Sequence, residues 1–243
     1  MKKLILLLLL SISQNGYAED FAAQLLKASD LGRGGFQEGI EWKAQVETQE
    51  NGKTSLREFL IKAKGHDAFV EAVSPAKNKG EIYLFNDRQM WFFKPSLKKP
   101  VPISARQKLT GQAANGDIAS THYARDYEAV LEKTENYNGA KHHVLMLKAK
   151  SKNLTYDKIR YWINERTKLA SKAEFLTLRG EPFKYGYLEY ANSIKVEGKT
   201  MPFVSKLTII DAKFEKNKSV IVYEKPKIED HPDAIFNYNN MTR

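Results

Sequence analysis

Apolar and polar positions alternate with a period of two along most of this chain. From Ile40 to Thr48, Trp42, Ala44 and Val46 fall on one face while Lys43, Gln45 and Glu47 fall on the other, the signature of a half-buried strand. Asn51-Gly52 follows at once, a pair that favours the left-handed angles of a tight hairpin. Leu56–Ala63, Ala68–Val73, Glu81–Phe85 and Met90–Lys94 read as further strands, divided by Gly65-His66-Asp67, by Pro75 to Gly80 and by Asn86-Asp87. Short strands joined by tight turns predict an antiparallel meander, not a parallel sheet with crossover helices. A second series runs through His143–Ala149, Ile159–Asn164, Leu169–Leu176, Phe183–Tyr190, Phe203–Asp211 and Ser219–Tyr223, which makes about eleven strands in all.

Two stretches carry a helical period instead. Asp20 to Ala28 puts Phe21, Leu25 and Ala28 on one face, with Asp20 placed to cap its start and Gly32, Gly34 and Gly35 to end it. Asp126 to Lys133 groups Tyr127, Val130 and Leu131 on one side and predicts a helical insertion between the two strand series. Before it, Pro95, Pro100 and Pro102 are unsuited to a central strand, so 95–104 reads as an irregular connection. A long twisted antiparallel sheet curls, and its inner face has to be covered or filled. With so little helix available, an apolar container under a thin lid and a fully packed core are both open readings.

The N-terminus changes the setting. MKKLILLLLLSISQNGYAED has two lysines, a short apolar run and Ala18 before Glu19, which predicts a secretory signal peptide cleaved after Ala18 and export to the periplasm. Residues 19–243 then form a single mainly β domain. The formal charge of +10 falls to +8 once Lys2 and Lys3 leave with the leader. A basic exported protein is suited to anionic headgroups and to peripheral contact with a membrane surface, and nucleic acid is not expected as a partner there. The chain has no cysteine, so neither a lipidated N-terminal Cys nor a disulfide framework is available.

Candidate chemistry is sparse. There is no Gly-x-Ser-x-Gly elbow, phosphate-binding glycine loop, HExxH helix or calcium loop, so no catalytic residue, metal or cofactor is indicated and the chain reads as a non-enzyme. The stretch GQAANGDIASTHYARDYE, residues 111–128, gathers Asp117, His122 and Asp126. As metal ligands these lack a second histidine one helical turn away, and Asp117 reads better as a cap. Trp42, Trp91 and Trp162 all fall in predicted strands, where core or cavity lining is the common fate.

A particular order of parts runs through the first series. A small-residue and proline turn precedes Lys79-Gly80; Glu81–Phe85, Met90-Trp91-Phe92-Phe93 and Lys94-Pro95 follow; then come Lys98-Lys99 and Gly116-Asp117-Ile118 before Asp126-Tyr127. In this the chain resembles the outer-membrane lipoprotein-sorting, or LolA-like, family of periplasmic proteins. The resemblance implies an open, incomplete antiparallel β-barrel with an N-terminal helix and a helical lid. It implies a carrier that binds acyl chains of a lipid or lipoprotein and passes them between envelope membranes or to an inner-membrane transporter of the RND/MMPL type. An accessory subunit that docks on such a transporter without extracting lipid is the alternative. On this reading Trp42, Phe59, Ile61, Phe69, Ile82, Leu84, Trp91 and Phe93 would line the cavity. Residues 111–133 would be the lid, with Ile118, Tyr123, Tyr127 and Val130 as its apolar face. Lys98, Lys99 and Arg106 would meet headgroups or a partner.

Overall fold

A computed structural model describes residues 20–119 and 122–242; the expected signal peptide and its cleavage site lie outside them. Thirteen strands form one antiparallel sheet. In chain order they are β1 (Ile40–Glu50), β2 (Lys53–Lys64), β3 (Asp67–Ser74), β4 (Ile82–Asn86), β5 (Gln89–Phe93), β6 (Val101–Ile103), β9 (Tyr127–Tyr137), β10 (Ala140–Ala149), β11 (Lys158–Asn164), β12 (Ala170–Leu176), β13 (Pro182–Glu189), β16 (Lys206–Asp211) and β17 (Lys218–Ile228). Two short hairpins stand apart from it: β7 (Lys108–Thr110) with β8 (Ala113–Ala114), and β14 (Asn192–Val196) with β15 (Lys199–Phe203).

The strand order is β6-β5-β4-β3-β2-β1-β17-β16-β13-β12-β11-β10-β9. The first and last strands therefore pair in the middle, and the two meanders spread outward to the edges β6 and β9. The sheet is not closed. Local chemistry accounts for the turns. Asn51 (φ 51°) and Gly52 (φ 76°) are both left-handed, as are Asn138-Gly139 and Glu197-Gly198, the geometry that lets a two-residue turn follow the strand twist.

On β1, Ile40, Trp42, Ala44, Val46 and Thr48 are buried while Lys43, Glu47 and Gln49 are exposed. The buried set joins Phe59 and Ile61 of β2, Val70 of β3, Leu145 and Leu147 of β10, Ile159 and Tyr161 of β11 and Ile221 of β17 in one inner core. A second, smaller cluster occupies the opposite face of β3–β5. There the C-terminal tail lays Ile235, Phe236 and Met241 against Phe69, Ile82, Leu84, Trp91 and Phe93, and Trp91 stacks on Tyr238 with centroids 4.5 Å apart.

Four expectations need correction. Residues from Tyr127 form the edge strand β9, not a helix. Glu128, Leu131, Glu132 and Lys133 are good helix formers, but the free backbone edge of β10 outweighs local propensity. Pro102 lies inside a strand, β6, which its position at the sheet edge permits. The predicted strand Phe203–Asp211 divides between β15 and β16, separated by Val204 and Ser205. The N-terminal helix α1 spans 20–31 and buries Ala22, Leu25, Leu26, Ser29 and Asp30, whereas Phe21 is exposed at its rim.

Close approach explains one glycine in the segment over the inner face. A Cβ on Gly116 would lie 1.8 Å from Thr155 Oγ1. Gly116→Ala should cost about 1–3 kcal/mol, as overpacking does, read as a drop of several degrees in Tm. A second change, Thr155→Ala, should recover much of it, and full stability in the single variant would contradict the packing described.

Candidate functional site: the covered inner face

The inner face is covered by α1 and by the described residues between Ser104 and Asp126, which form the short hairpin β7–β8, a 3-10 turn at Asn115–Ile118 and one helical turn at Tyr123–Asp126, joined by irregular backbone. Every residue from Gly111 to Ala119 is buried, which answers why a stretch so rich in small residues sits between strands. Only small side chains let a backbone lie this close to a sheet. The segment is tied down through polar groups. Gln112 N donates to Ser219 Oγ (2.8 Å), and Lys184 Nζ donates to Gln112 O (2.6 Å). Arg57 Nη1 donates to Leu109 O (3.3 Å). Asp117 accepts from Ala114 N (2.8 Å) and from the Tyr156 hydroxyl (2.9 and 3.0 Å to its two oxygens).

Its far end is held by α1. Asp30 Oδ2 accepts from Ala124 N at 2.8 Å, at the single helical turn α2 (Tyr123–Asp126). Three residues on, the Arg33 guanidinium lies 4.2 Å from the centre of the Tyr123 ring and donates to Tyr161 Oη at 3.5 Å. Tyr123 in turn packs on Tyr127 and Tyr161, with ring centroids 5.1 and 5.6 Å away. A buried cation over an aromatic face is a stronger interaction than the same pair in water.

Burial sets the protonation of these groups. Asp30 is pushed up to about 7 by loss of solvent, against the lowering effects of the Ala124 amide and Arg33, and its Oδ1 has no hydrogen-bond partner among the described residues. Burial also raises Asp117, though Lys184 nearby opposes it, and burial lowers Lys184. His122 and His66, whose rings meet edge to face at 4.6 Å, are both held down, first by burial. Around them, between α1 and α2, opens a cleft of about 530 Å³ lined by Lys27, Asp30, Leu31, His66, His122 and Arg125 among others.

The structure divides the residues expected at the site. Trp42, Phe59 and Ile61 belong to the inner core, together with Ile118, Tyr123 and Tyr127 of the covering segment. Phe69, Ile82, Leu84, Trp91 and Phe93 face the other way, beneath the C-terminal tail, so the eight do not share one surface. On β4 and β5 both faces are apolar, and alternation alone could not tell inner from outer. Val130 points outward from β9 and is half exposed, as a strand in place of a helix requires. Lys98 and Lys99 are exposed in the loop after β5, and Arg106 is engaged by both oxygens of Asp157 at 2.6 and 2.8 Å. Asp117, His122 and Asp126 bond separately: Asp117 to Tyr156, His122 against His66, and Asp126 to Arg88. Among the described residues no three His, Cys, Asp or Glu side chains converge as a metal would need. Sequence reasoning missed Asp30, Arg33, Tyr156 and Tyr161. The clue for the first two is their spacing, since Leu26, Asp30 and Arg33 continue the buried stripe of α1 past its end.

The fold is shared with known structures. A family model described as that of an uncharacterized protein matches residues 64–243. The crystal structure of a LolA superfamily protein from Nitrosomonas europaea is 30% identical to this chain, covers 90% of it and 98% of its own length, and superposes with a TM-score of 0.79. The chain belongs to the LolA superfamily. The fold of this LolA superfamily member also matches a DUF1329 family protein from Desulfovibrio piger (19% identity, TM-score 0.76, covering 92% of this chain and 99% of that one). It matches an outer membrane lipoprotein-sorting protein domain from Vibrio parahaemolyticus as well (17%, 0.76, 93% and 100%). No functionally curated protein matches. No helix among the described residues is long and apolar enough to cross a membrane.

Asp30 generates a pH prediction for this LolA-like inner face. Its folded pKa of about 7 lies above its ordinary 3.8, so the stability contributed by the neutral form is full below pH 4 and is lost as pH rises through 7. Urea unfolding midpoints should therefore fall more between pH 5 and 8 in the wild type than in Asp30→Asn, which keeps an acceptor for Ala124 N. The comparison isolates Asp30, because His66 and His122 act with the opposite sign in both proteins. Parallel profiles would contradict the assignment.

Proposed function

We propose that this protein is a periplasmic carrier that shelters acyl chains of a lipid or lipoprotein against the inner face of its sheet, beneath the 104–126 segment. The observation that carries this reading is the nature of the cover. An apolar sheet face, with Trp42, Phe59, Ile61, Leu145 and Ile159 almost fully buried, is closed by α1 and by a segment built of single turns and a two-stranded hairpin too short to stand alone. That segment packs Leu109, Ile118 and Tyr123 on the core and is pinned by polar groups: Ser219, Lys184 and Tyr156 at one end, Asp30 and Arg33 at the other. Each of these hydrogen bonds contributes about 1–3 kcal/mol net, the larger values where a charged group takes part, whereas every CH₂ group that enters the vacated space contributes about 0.8 kcal/mol. An acyl chain of ordinary length can therefore offset displacement of the segment. The similarity to an outer membrane lipoprotein-sorting domain supports the same class of cargo.

In this reading the leader directs export, the acyl chains come from one envelope membrane, and delivery is to another membrane or to an inner-membrane transporter. The filled inner core also supports the second reading, an accessory subunit that docks on a transporter and extracts no lipid.

One engineered bond separates the two. The chain has no cysteine, and a Cβ on Gly116 would lie 3.0 Å from Thr155 Cβ, so a disulfide forms there once the two backbones part by about 0.5 Å to reach the usual Cβ separation. Gly116→Cys/Thr155→Cys should take up fluorescent fatty acid or phospholipid when reduced, and lose at least about tenfold in uptake when oxidised, with recovery on adding dithiothreitol. Uptake that ignores the disulfide would sink the moving cover. A wild-type protein that takes up neither probe would leave the docking subunit as the reading.

A further inference from the structure

The two most exposed of the described large apolar side chains sit on neighbouring turns. Leu178, 71% exposed, caps the turn between β12 and β13, and Phe214, 66% exposed, caps the turn between β16 and β17. Neither turn is loose. Thr177 N donates to Glu181 O (2.8 Å) and Gly180 N to Thr177 O (2.9 Å), with Gly180 left-handed at φ 88°. Asp211 Oδ1 accepts from Lys213 N (2.8 Å) and Phe214 N (2.9 Å), and Asn217 N donates to Phe214 O (2.7 Å).

The sheet brings the tips side by side. β13 and β16 pair from Lys184 opposite Asp211, and Ala212 N donates to Phe183 O at 3.1 Å. Phe183, itself 36% exposed, lies at the start of β13 and lines with Leu178 an open, largely apolar cleft of about 530 Å³. The Asn51-Gly52 turn joins the same end through Asn51 N to Asn217 Oδ1 (3.0 Å).

Exposed cations flank the apolar tips. Lys53, Arg179, Lys213, Lys216 and Lys218 stand against Glu181 and Glu215, all exposed, and none of the seven forms an ion pair among the described residues. Holding a leucine and a phenylalanine rigidly in water forgoes the gain of burying them, and exposed apolar patches mark interaction sites. Single apolar side chains on protruding turns, separated by long cations that reach outward, suit the headgroup zone of an anionic bilayer.

We infer that this end of the sheet is a membrane-docking edge, in which Leu178, Phe183 and Phe214 enter the headgroup boundary of an anionic bilayer while Lys213, Lys216, Lys218, Arg179 and Lys53 contact its phosphates. It stands independently of whether the inner face carries lipid, since it concerns contact of the turn tips with a bilayer surface.

The test is sedimentation of the mature full-length chain with vesicles. Binding is expected to phosphatidylglycerol/phosphatidylethanolamine vesicles, weaker in high salt, and not to pure phosphatidylcholine. Leu178→Ser/Phe214→Ser should cut partitioning by at least about tenfold with Tm unchanged. Ile228→Ser, at the far end of β17 and 37% exposed, should bind as the wild type does. Absence of binding to anionic vesicles, or equal binding by the double variant, would overturn the assignment. Because acyl-probe uptake is measured separately, failure here leaves the carrier reading standing and failure there leaves this one.

Discussion

The governing constraint is an open sheet with an apolar inner face that its own helices are too few to cover. Thirteen strands present Trp42, Phe59, Ile61, Leu145, Ile159 and their neighbours to one side. Against them the described chain sets one helix of regular length, 20–31. The remainder comes from a segment of single turns and a two-stranded hairpin, too short to pair all of its own amides and carbonyls, which it carries into the core. Buried peptide groups require partners. The small residues and polar contacts of the 104–126 segment follow from this single requirement.

The partners are what make the cover distinctive. A helix satisfies its backbone internally; this segment satisfies part of its own through side chains of the sheet and of α1, among them Ser219 for Gln112, Lys184 for the Gln112 carbonyl and Asp30 for Ala124. Such groups are strong only while fully paired. Lys184 and Asp117 moderate each other's burial, and Arg33 moderates that of Asp30 while stacking on Tyr123. Ala105, Leu109, Ala113, Ile118, Ala119 and Tyr123 of the segment all join the inner core, and the polar contacts fix the path of its backbone at discrete points between them.

Much of the barrel was legible in the chain because period-two alternation is a direct consequence of a sheet with one dry face. β1 and β2 show this best, and the Asn51-Gly52 turn fixes their register. Legibility failed where that contrast disappears. On β4 and β5 the outer residues Ile82, Leu84, Trp91 and Phe93 are as apolar as the inner ones, because the tail at 235–241 covers them from far along the chain. β9 was misread because its composition favours helix, and only its neighbour β10 makes it a strand. Asp30 and Arg33 escaped notice because charged residues in the last turn of a helix and just beyond it ordinarily meet water; the groups that hold them, Ala124 for Asp30 and Tyr123 and Tyr161 for Arg33, come from distant parts of the chain.

The carrier account makes one demand that no packing argument can meet for it, namely cargo. Native mass spectrometry of the protein released from the periplasm without detergent, followed by organic extraction and lipid analysis, asks for it directly. The account predicts a stoichiometric lipid or acylated species that leaves with the organic phase. A clean apo mass, unchanged after incubation with fatty acid or phospholipid, would contradict it.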